Sequence, residues 1–328
     1  MPKGIPSAMS ALRQTLGASG FMWTAALALD RAGVPVLRAF RGATVSHRVL
    51  EEQIGAILRG WRMPEEQSAI VTRHILYADL HGIDSHGCAM LRHYHRGLTD
   101  GSLSASPVVS TLRETATTAL IDGGGGLGHF PADTAMKTAI NKCRESGVGI
   151  AAVRNSGHFG AAGTYALMAA EAGLIGMVTT NTATPAVVPT FGVEAMLGTN
   201  PIAFAAPAKT NRPFLLDMAT STAPFGKLLT AWRRGASIPA GWALDSRGSP
   251  LTSARRAAQS RRLTPLGSTR EMGSHKGYGL ASVVEVLSSV LPGLRARQRE
   301  IQSPNRVGHF FLALDPKNFR EDGQFEAD

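Results

Sequence analysis

Two histidines of this 328-residue chain lie in short glycine-rich segments where an imidazole could exchange protons with a substrate. His86 lies in the segment Asp84 to Gly87, and His158 lies in the segment Ser156 to Gly160. The ordinary pKa of imidazole is near neutrality, so a histidine can act as a general acid or base at physiological pH. From the residues alone, an acid–base pair and two hydrogen-bonded structural histidines are equally compatible with this pattern.

Three strand-like segments of the chain end in small polar residues. Val148 to Val153 leads into Arg154 and Asn155, Leu174 to Val178 leads into a Thr-Thr-Asn-Thr segment, and a third run ends at Asp217. In α/β proteins, rigid strands hold a site while the loops at their ends carry the chemistry. The sequence therefore predicts a site along the ends of several strands.

The periodicity of apolar residues predicts helices before the first strand and an α/β arrangement after it. Ser46 is a plausible N-cap of the first helix, and Pro64 begins the second. We predict the remaining elements as follows: a helical segment from Ala89 to Leu98, a strand from Thr118 to Ile121, helices from Pro131 to Arg144 and from Thr164 to Ala172, short strands and turns from Asn211 to Pro250, an exposed loop with a short helix from Leu251 to Arg270, an apolar helix from Leu280 to Leu291, and a strand from Gly308 to Leu314.

The glycine run from Gly123 to Gly128 satisfies G-x-G-x-x-G between a strand and a helix, the pattern that cradles phosphates. Four consecutive glycines match this pattern too easily, and the next strand ends in Arg154 where a dinucleotide fold needs an acid. An arginine could instead bind a 2′-phosphate. A glycine turn before a helix is the favoured interpretation.

Composition narrows the class of protein. Hydrophobic residues make up 44% of the chain and charged residues 18%, as in an ordinary soluble enzyme. Only two cysteines, Cys88 and Cys143, are present, which argues against a disulfide scaffold and favours a reducing compartment, the cytoplasm. The apolar stretch Met9 to Leu29 is too interrupted for a membrane span.

The net charge of +10 is compatible with nucleic-acid binding, and arginines are dense from Ala231 to Glu300. No aromatic ladder, helix-turn-helix pattern or zinc-finger spacing accompanies them. A solvated basic face is favoured, because a basic patch alone is a weak signal. His81, His93 and His95 lie near His86, but their spacing matches no compact metal-ligand set, so no metal site is predicted.

Six blocks in register resemble the second, non-Rossmann type of malate/L-lactate dehydrogenase, a family that includes sulfolactate, ureidoglycolate and diketogulonate dehydrogenases. The resemblance covers the chain from about Val45 to its end. The blocks are Ala78 to Gly87, Arg154 to Gly163, Leu197 to Pro201, Leu216 to Ser221, His275 to Leu280, and Gly308 to Pro316.

The resemblance implies an α/β protein with a helical N-terminal region and a mixed-sheet NAD(P)-binding domain of non-Rossmann topology. It implies an oxidoreductase that uses NAD or NADP on a small 2-hydroxy or 2-oxo acid, paired as a homodimer. The expected division is a poorly ordered extension over residues 1–44, a helical substrate and dimer region over 45–115, the cofactor domain over 116–270, and a return to the helical region over 271–328.

The resemblance also implies roles for individual residues. His86 matches the proton donor, and His158 matches the proton acceptor of the ureidoglycolate branch. Ser85 and Arg92 are expected to bind substrate. Cofactor contacts are expected from three segments: Thr180, Asn181 and Thr182; Asp217, Met218 and Ala219; and His275 with Lys276.

Two departures bear on these expectations. Many relatives have an arginine four residues after the His86 position, where this chain has Met90. Relatives also continue well past the last block, whereas this sequence stops at Asp328, which keeps a truncated, inactive family member as an alternative. A basic nucleic-acid-binding protein is the alternative from another class.

Overall fold

The computed structural model describes residues 44–294 and 307–328. The extension predicted over residues 1–44 therefore lies, apart from Thr44, outside the described residues, as do Arg295, Arg297 and Arg299. The helices are α1 His47–Gly60, α2 Glu65–Leu80, α3 Leu91–Thr99, α4 His129–Ser146, α5 Gly163–Glu171, α6 Phe225–Arg233, α7 Ala254–Ser260, α8 Ser274–Glu285 and α9 Gln324–Ala327. The strands are β1 Ser110–Glu114, β2 Thr118–Asp122, β3 Val148–Ser156, β4 Ile175–Thr180, β5 Ile202–Ala206, β6 Phe214–Met218 and β7 Val307–Leu314.

Three helices precede the sheet, as the apolar spacing predicts. Ile54 and Leu58 of α1 and Ile75 of α2 are buried against one another and against Tyr94 of α3. Ser46 occupies the N-cap position of α1, although its side chain makes no capping hydrogen bond. These helices form the scaffold from which the His86 segment emerges.

The seven strands form one mixed sheet in the order β1-β2-β3-β7-β4-β5-β6. β2 and β3 are parallel, while β7 runs antiparallel to both of its neighbours, β3 and β4. The last strand of the chain thus lies in the middle of the sheet, where Phe311 is fully buried. The mixed, non-Rossmann sheet is confirmed; the domain boundaries stay a prediction.

The segment from Asn211 to Arg270 differs from its prediction. Phe225–Arg233 is a helix instead of short strands and turns, because Leu228 packs into a second apolar cluster. The short helix predicted between Leu251 and Arg270 is present as Ala254–Ser260, but Leu251 and Leu263 are buried in the same cluster, so this segment is not an exposed loop. The helical spacing of Phe225, Leu228 and Leu229 agrees with the observed helix, so the prediction of strands and turns was wrong here.

The predicted apolar helix begins six residues earlier than expected, at Ser274, and continues past Glu285 as a wider π-type turn over Val286–Val290. Gly273 precedes it with a φ of 88°, a conformation that glycine adopts without strain. His275 and Lys276 therefore lie in the first turn of α8. None of the helices described is long and apolar enough to cross a membrane.

Candidate active site

The polar segments predicted at strand ends meet along one edge of the sheet. Register pairs Asp122 with Arg154, Thr180 with His309, and Ile202 with Met218. Because β2, β3, β4 and β6 run in one direction, their carboxyl ends lie on the same edge as the start of β7. The segments at the strand ends therefore lie on one edge of the sheet, as a site built from strand ends requires.

His86 and His158 lie face to face at this edge. Their ring centroids are 5.4 Å apart with an interplanar angle of 29°. Ser85 Oγ is 2.7 Å from His86 Nδ1, so the residue predicted to bind substrate also contacts the first imidazole. Both residues are half-buried as a whole. The structure therefore brings the two predicted histidines together, and their roles in proton exchange stay predictions.

The glycine run packs against the loop that carries His158. The Gly128 amide donates to the His158 carbonyl at 3.0 Å, and a Cβ at Gly128 would lie 2.2 Å from the Gly157 carbonyl oxygen. These glycines allow two backbones to touch. Arg154 forms an ion pair with Asp122, with 3.5 Å between Arg154 Nε and Asp122 Oδ2. The structure thus shows a glycine turn that positions His158.

A group of buried histidines lies behind the pair. His309 is fully buried, and its ring bonds Thr180 Oγ1 at 2.7 Å and Ser156 Oγ at 2.9 Å. His74 lies between Thr164 and the buried Asp133. His129 is also fully buried, and neither of its ring nitrogens has a hydrogen-bond partner among the described residues. These rings tie β3, β4, β7 and the N-terminal helices into one polar core.

Burial holds all of these imidazoles neutral at pH 7. It lowers the pKa of His86, and it lowers the pKa of His158 well below the usual range, helped by the neighbouring His86 and His129. Burial lowers the pKa of His74 and takes that of His309 down to about 3. A neutral imidazole has one nitrogen that donates and one that accepts a hydrogen bond, so these rings can bind polar groups without carrying a charge.

The free energy of unfolding should therefore fall as the pH drops from about 7 to about 4. An unfolded His309 takes up a proton near pH 6.5, whereas the folded one resists protonation down to about pH 3, so acid in this window favours the unfolded chain. Stability is fully present above pH 6.5 and is lost progressively below it. Urea midpoints measured across this range test the sign. A His309→Gln variant should show a flatter pH dependence, and equal slopes in the two proteins would contradict the assignment.

The predicted cofactor segments converge on the loop Gly198 to Asn200. A Cβ at Gly198 would lie 2.1 Å from Thr182 Oγ1. The Thr220 amide, next to Ala219, donates to the Thr199 carbonyl at 2.9 Å. Asn200 Nδ2 donates to the Ala281 carbonyl of α8 at 2.9 Å. The first two segments and the helix that begins with the third are thus tied to one loop, although the cofactor roles themselves stay predictions.

Individual side chains in these segments differ in how accessible they are. Thr180 and Asn181 are buried and bond the start of β7, Thr180 through Oγ1 and Asn181 through Oδ1, which accepts from the Gly308 amide at 2.8 Å. Asp217 accepts the Gly163 amide at the start of α5 at 2.8 Å. Desolvation raises the pKa of Asp217. Asp217, His275 and Lys276 are exposed and Thr182, Met218 and Ala219 are partly exposed, so a ligand could reach these side chains.

Arg92 is exposed on α3, two residues before the buried Tyr94 that contacts His158. Residues two apart on a helix point to different faces. The contact between Tyr94 and His158 therefore does not place Arg92 beside the histidine pair. Met90 packs against the buried apolar cluster of α1 and α2. The substrate role of Arg92 stays a prediction.

Three functional candidates were not predicted individually from the sequence: Tyr94, His309 and Asn200. Tyr94 Oη lies 2.8 Å from His158 Nδ1 across 64 residues of chain, a pairing with no local signature. Among residues 44–294 and 307–328, no group of three or more His, Cys, Asp or Glu side chains is arranged to hold a metal ion. His81 instead bonds the Tyr77 carbonyl, and His95 packs against Trp61.

Residues 45–328 match the family model described as malate/L-lactate dehydrogenase. Among curated relatives, the malate dehydrogenase of Pyrococcus abyssi is 46% identical over 269 residues, which span 80% of this chain and 74% of that protein. The L-sulfolactate dehydrogenase of Methanothermobacter thermautotrophicus is 40% identical over 280 residues, covering 84% and 79%.

Solved structures show the same likeness. The crystal structure of malate dehydrogenase from Entamoeba histolytica is 35% identical to this chain. The two superpose with a TM-score of 0.82, covering 87% of this chain and 82% of that one. The mixed sheet and helical N-terminal region are therefore shared with known dehydrogenases.

Proposed function

The chain belongs to the malate/L-lactate dehydrogenase family, and on that premise we propose that it transfers a hydride between NAD or NADP and a small 2-hydroxy or 2-oxo acid. The single observation that carries the proposal is the facing pair His86 and His158, at 5.4 Å, on the sheet edge where the expected cofactor segments meet. Relatives named for malate and for sulfolactate make a small 2-hydroxy acid the natural substrate class.

In this proposal the two imidazoles hold the substrate oxygen. His86 exchanges the proton that must leave or join that oxygen when the carbon is oxidised or reduced, and His158 is its close partner. Ser85 orients the His86 ring through the 2.7 Å contact with Nδ1. The nicotinamide supplies or takes the hydride when bound.

The residues around Gly198 suit a nicotinamide cofactor. Asn200 Oδ1 is buried without a hydrogen-bond partner among the described residues, and the amide of nicotinamide is an N–H donor. Glycine at position 198 lets Thr182 Oγ1 and Asn200 Oδ1 pack against its backbone, because a Cβ there would lie 2.1 Å and 2.5 Å from these atoms. Asp217 can accept hydrogen bonds from ribose hydroxyls, and the exposed Lys276 can meet a phosphate as a point charge. The chemistry of these donors and acceptors supports the proposal.

A panel of NADH and NADPH with several 2-oxo acids, followed by nicotinamide absorbance on the purified chain, tests the function. Oxidation of one cofactor with at least one 2-oxo acid is expected. A chain that neither turns over substrate nor binds a cofactor would favour an inactive family member. Salt-sensitive retention on nucleic acid, without any response to a nicotinamide cofactor, would favour a basic nucleic-acid-binding protein.

Lys276→Met should raise the KM for the cofactor about tenfold, because one charge-assisted contact to phosphate is lost. The effect on kcat should be smaller, since the proposed role of Lys276 is to bind the cofactor phosphate and not to exchange the substrate proton. Lys209→Met is the matched control, an exposed lysine after β5 whose amide bonds the Glu326 carbonyl. Equal KM values for the two variants would remove Lys276 from the cofactor site.

The proposal includes a homodimer in the cytoplasm. Two free thiols support a reducing compartment, Cys88 Sγ donating to Asp79 and Cys143 Sγ to the Gly147 carbonyl. Light scattering of the purified chain measures the oligomeric state directly, and a monomer at micromolar concentration would contradict the dimer.

A further inference from the structure

The Nδ1 atom of His158 faces two hydrogen-bonding groups. Tyr94 Oη lies 2.8 Å from this nitrogen, and the Gly160 amide nitrogen lies 3.2 Å from it. A backbone amide can only donate, so Nδ1 must offer its lone pair to Gly160. The hydroxyl of Tyr94, facing the same lone pair, then also donates. A neutral His158 ring with these two neighbours carries its proton on Nε2.

The surroundings reinforce this arrangement. Tyr94 is fully buried, and burial raises the pKa of its phenol, so the O–H proton stays in place. Gly160 has a φ of 79°, which turns its amide back toward the ring two residues earlier. A side chain at position 160 would be strained and would place its Cβ 3.1 Å from His129 Nε2. Both donors are thus held by the fold itself.

We propose that Tyr94 is a positioning residue which, with the Gly160 amide, holds His158 as the neutral Nε2–H tautomer. His158 then donates a hydrogen bond from Nε2 to the substrate oxygen instead of taking its proton, and His86 alone exchanges the proton. This differs from the proton-acceptor role that the family resemblance implies for His158. The substrate part of the inference rests on the proposed function, whereas the tautomer does not.

The groups that face His158 are uncharged rings. The ring centroid of His158 lies 5.4 Å from that of His86 and 5.9 Å from that of Tyr94. The buried His129 ring lies edge-on to Tyr94, with ring centroids 5.4 Å apart. His93 and His309 also disfavour a charge on His158. The ion pairs of Asp133 with Arg73 and Lys137 lie beyond His74. Loss of the Tyr94 hydroxyl therefore removes a donor that favours the neutral form of His158.

The test uses the full chain labelled with ¹⁵N-histidine, as wild type, Tyr94→Phe and Tyr165→Phe, with His158→Gln to assign the signal. In the wild type without ligands we expect a proton-bearing Nε2 and a lone-pair Nδ1 at pH 7. In Tyr94→Phe we expect His158 to protonate at higher pH, the acid limb of kcat/KM to move upward in pH, and kcat to fall about tenfold with little change in KM.

Tyr165→Phe is the matched control, because Tyr165 is equally buried but its hydroxyl donates to the Phe159 carbonyl at 2.6 Å. It should cost stability without changing the nitrogen signals of His158. A proton on Nδ1 or a charged His158 in the wild type would overturn the inference, as would a Tyr94→Phe protein with wild-type signals and pH profile. Lack of any turnover combined with the expected wild-type signals would refute the proposed function and leave the tautomer assigned.

Discussion

Replacing His86 with glutamine is expected to lower kcat by about 10²–10⁴-fold, because the group that exchanges the substrate proton is removed. Glutamine keeps a polar side chain beside Ser85 but cannot titrate near neutral pH. Cofactor affinity should change little, since the segments that converge on Gly198 to Asn200 are untouched. Steady-state rates and fluorescence titration with the reduced cofactor measure the two quantities separately.

His47→Gln is the matched control, an exposed histidine at the first position of α1. Its kcat should equal that of the wild type. Because burial lowers the pKa of His86, the neutral base form dominates at pH 7, and hydroxy-acid oxidation should slow only as the pH falls below 6.5. A His86→Gln protein that retains wild-type kcat and pH profile would rule out His86 as the proton-exchanging group.

Gly149→Ala should lower the free energy of unfolding by about 3 kcal/mol. A Cβ at this position of β3 would lie 1.8 Å from the Ala139 carbonyl oxygen and 2.8 Å from the Cys143 amide nitrogen, both backbone atoms of α4. Neither atom can move without displacing the helix from the sheet. Because β3 ends at the loop that carries His158, the variant should also lose activity at lower temperature than the wild type. Urea denaturation followed by circular dichroism measures the loss.

Gly60→Ala is the contrasting substitution. Gly60 is the last residue of α1 and nothing lies within 4 Å of the position that its Cβ would take. Alanine is the better helix former by about 1 kcal/mol in a helix interior, so this change should be neutral or mildly stabilising. If both alanine variants had the same stability, the close packing of α4 on β3 would not be the reason for glycine at position 149.

Much of the local structure could be predicted because its signals are local. The apolar run from Val148 to Val153 is a strand, and the spacing of Ile54 and Leu58 marks a helix. The two histidines could be singled out by their glycine-rich surroundings. The likeness of six blocks to one family indicated the class of enzyme, which the match over residues 45–328 confirms.

The rest depends on contacts between residues far apart in the chain. The insertion of Val307–Leu314 between β3 and β4 pairs residues more than 100 positions apart, which periodicity cannot reveal. The helix Phe225–Arg233 was missed although Phe225, Leu228 and Leu229 recur at helical spacing, whereas the burial of Leu228 in the second apolar cluster depends on distant residues. No local pattern around Tyr94 indicates that its hydroxyl contacts His158, because the two residues are 64 positions apart in the chain.

A crystal structure of the chain with a nicotinamide cofactor and a 2-oxo acid would show whether the facing histidines bind the reacting oxygen. We expect the reacting oxygen to lie about 3 Å from an imidazole nitrogen of both His86 and His158, with the nicotinamide beside the Gly198 to Asn200 loop. An oxo acid bound away from the two rings, or a nicotinamide at another edge of the sheet, would contradict it.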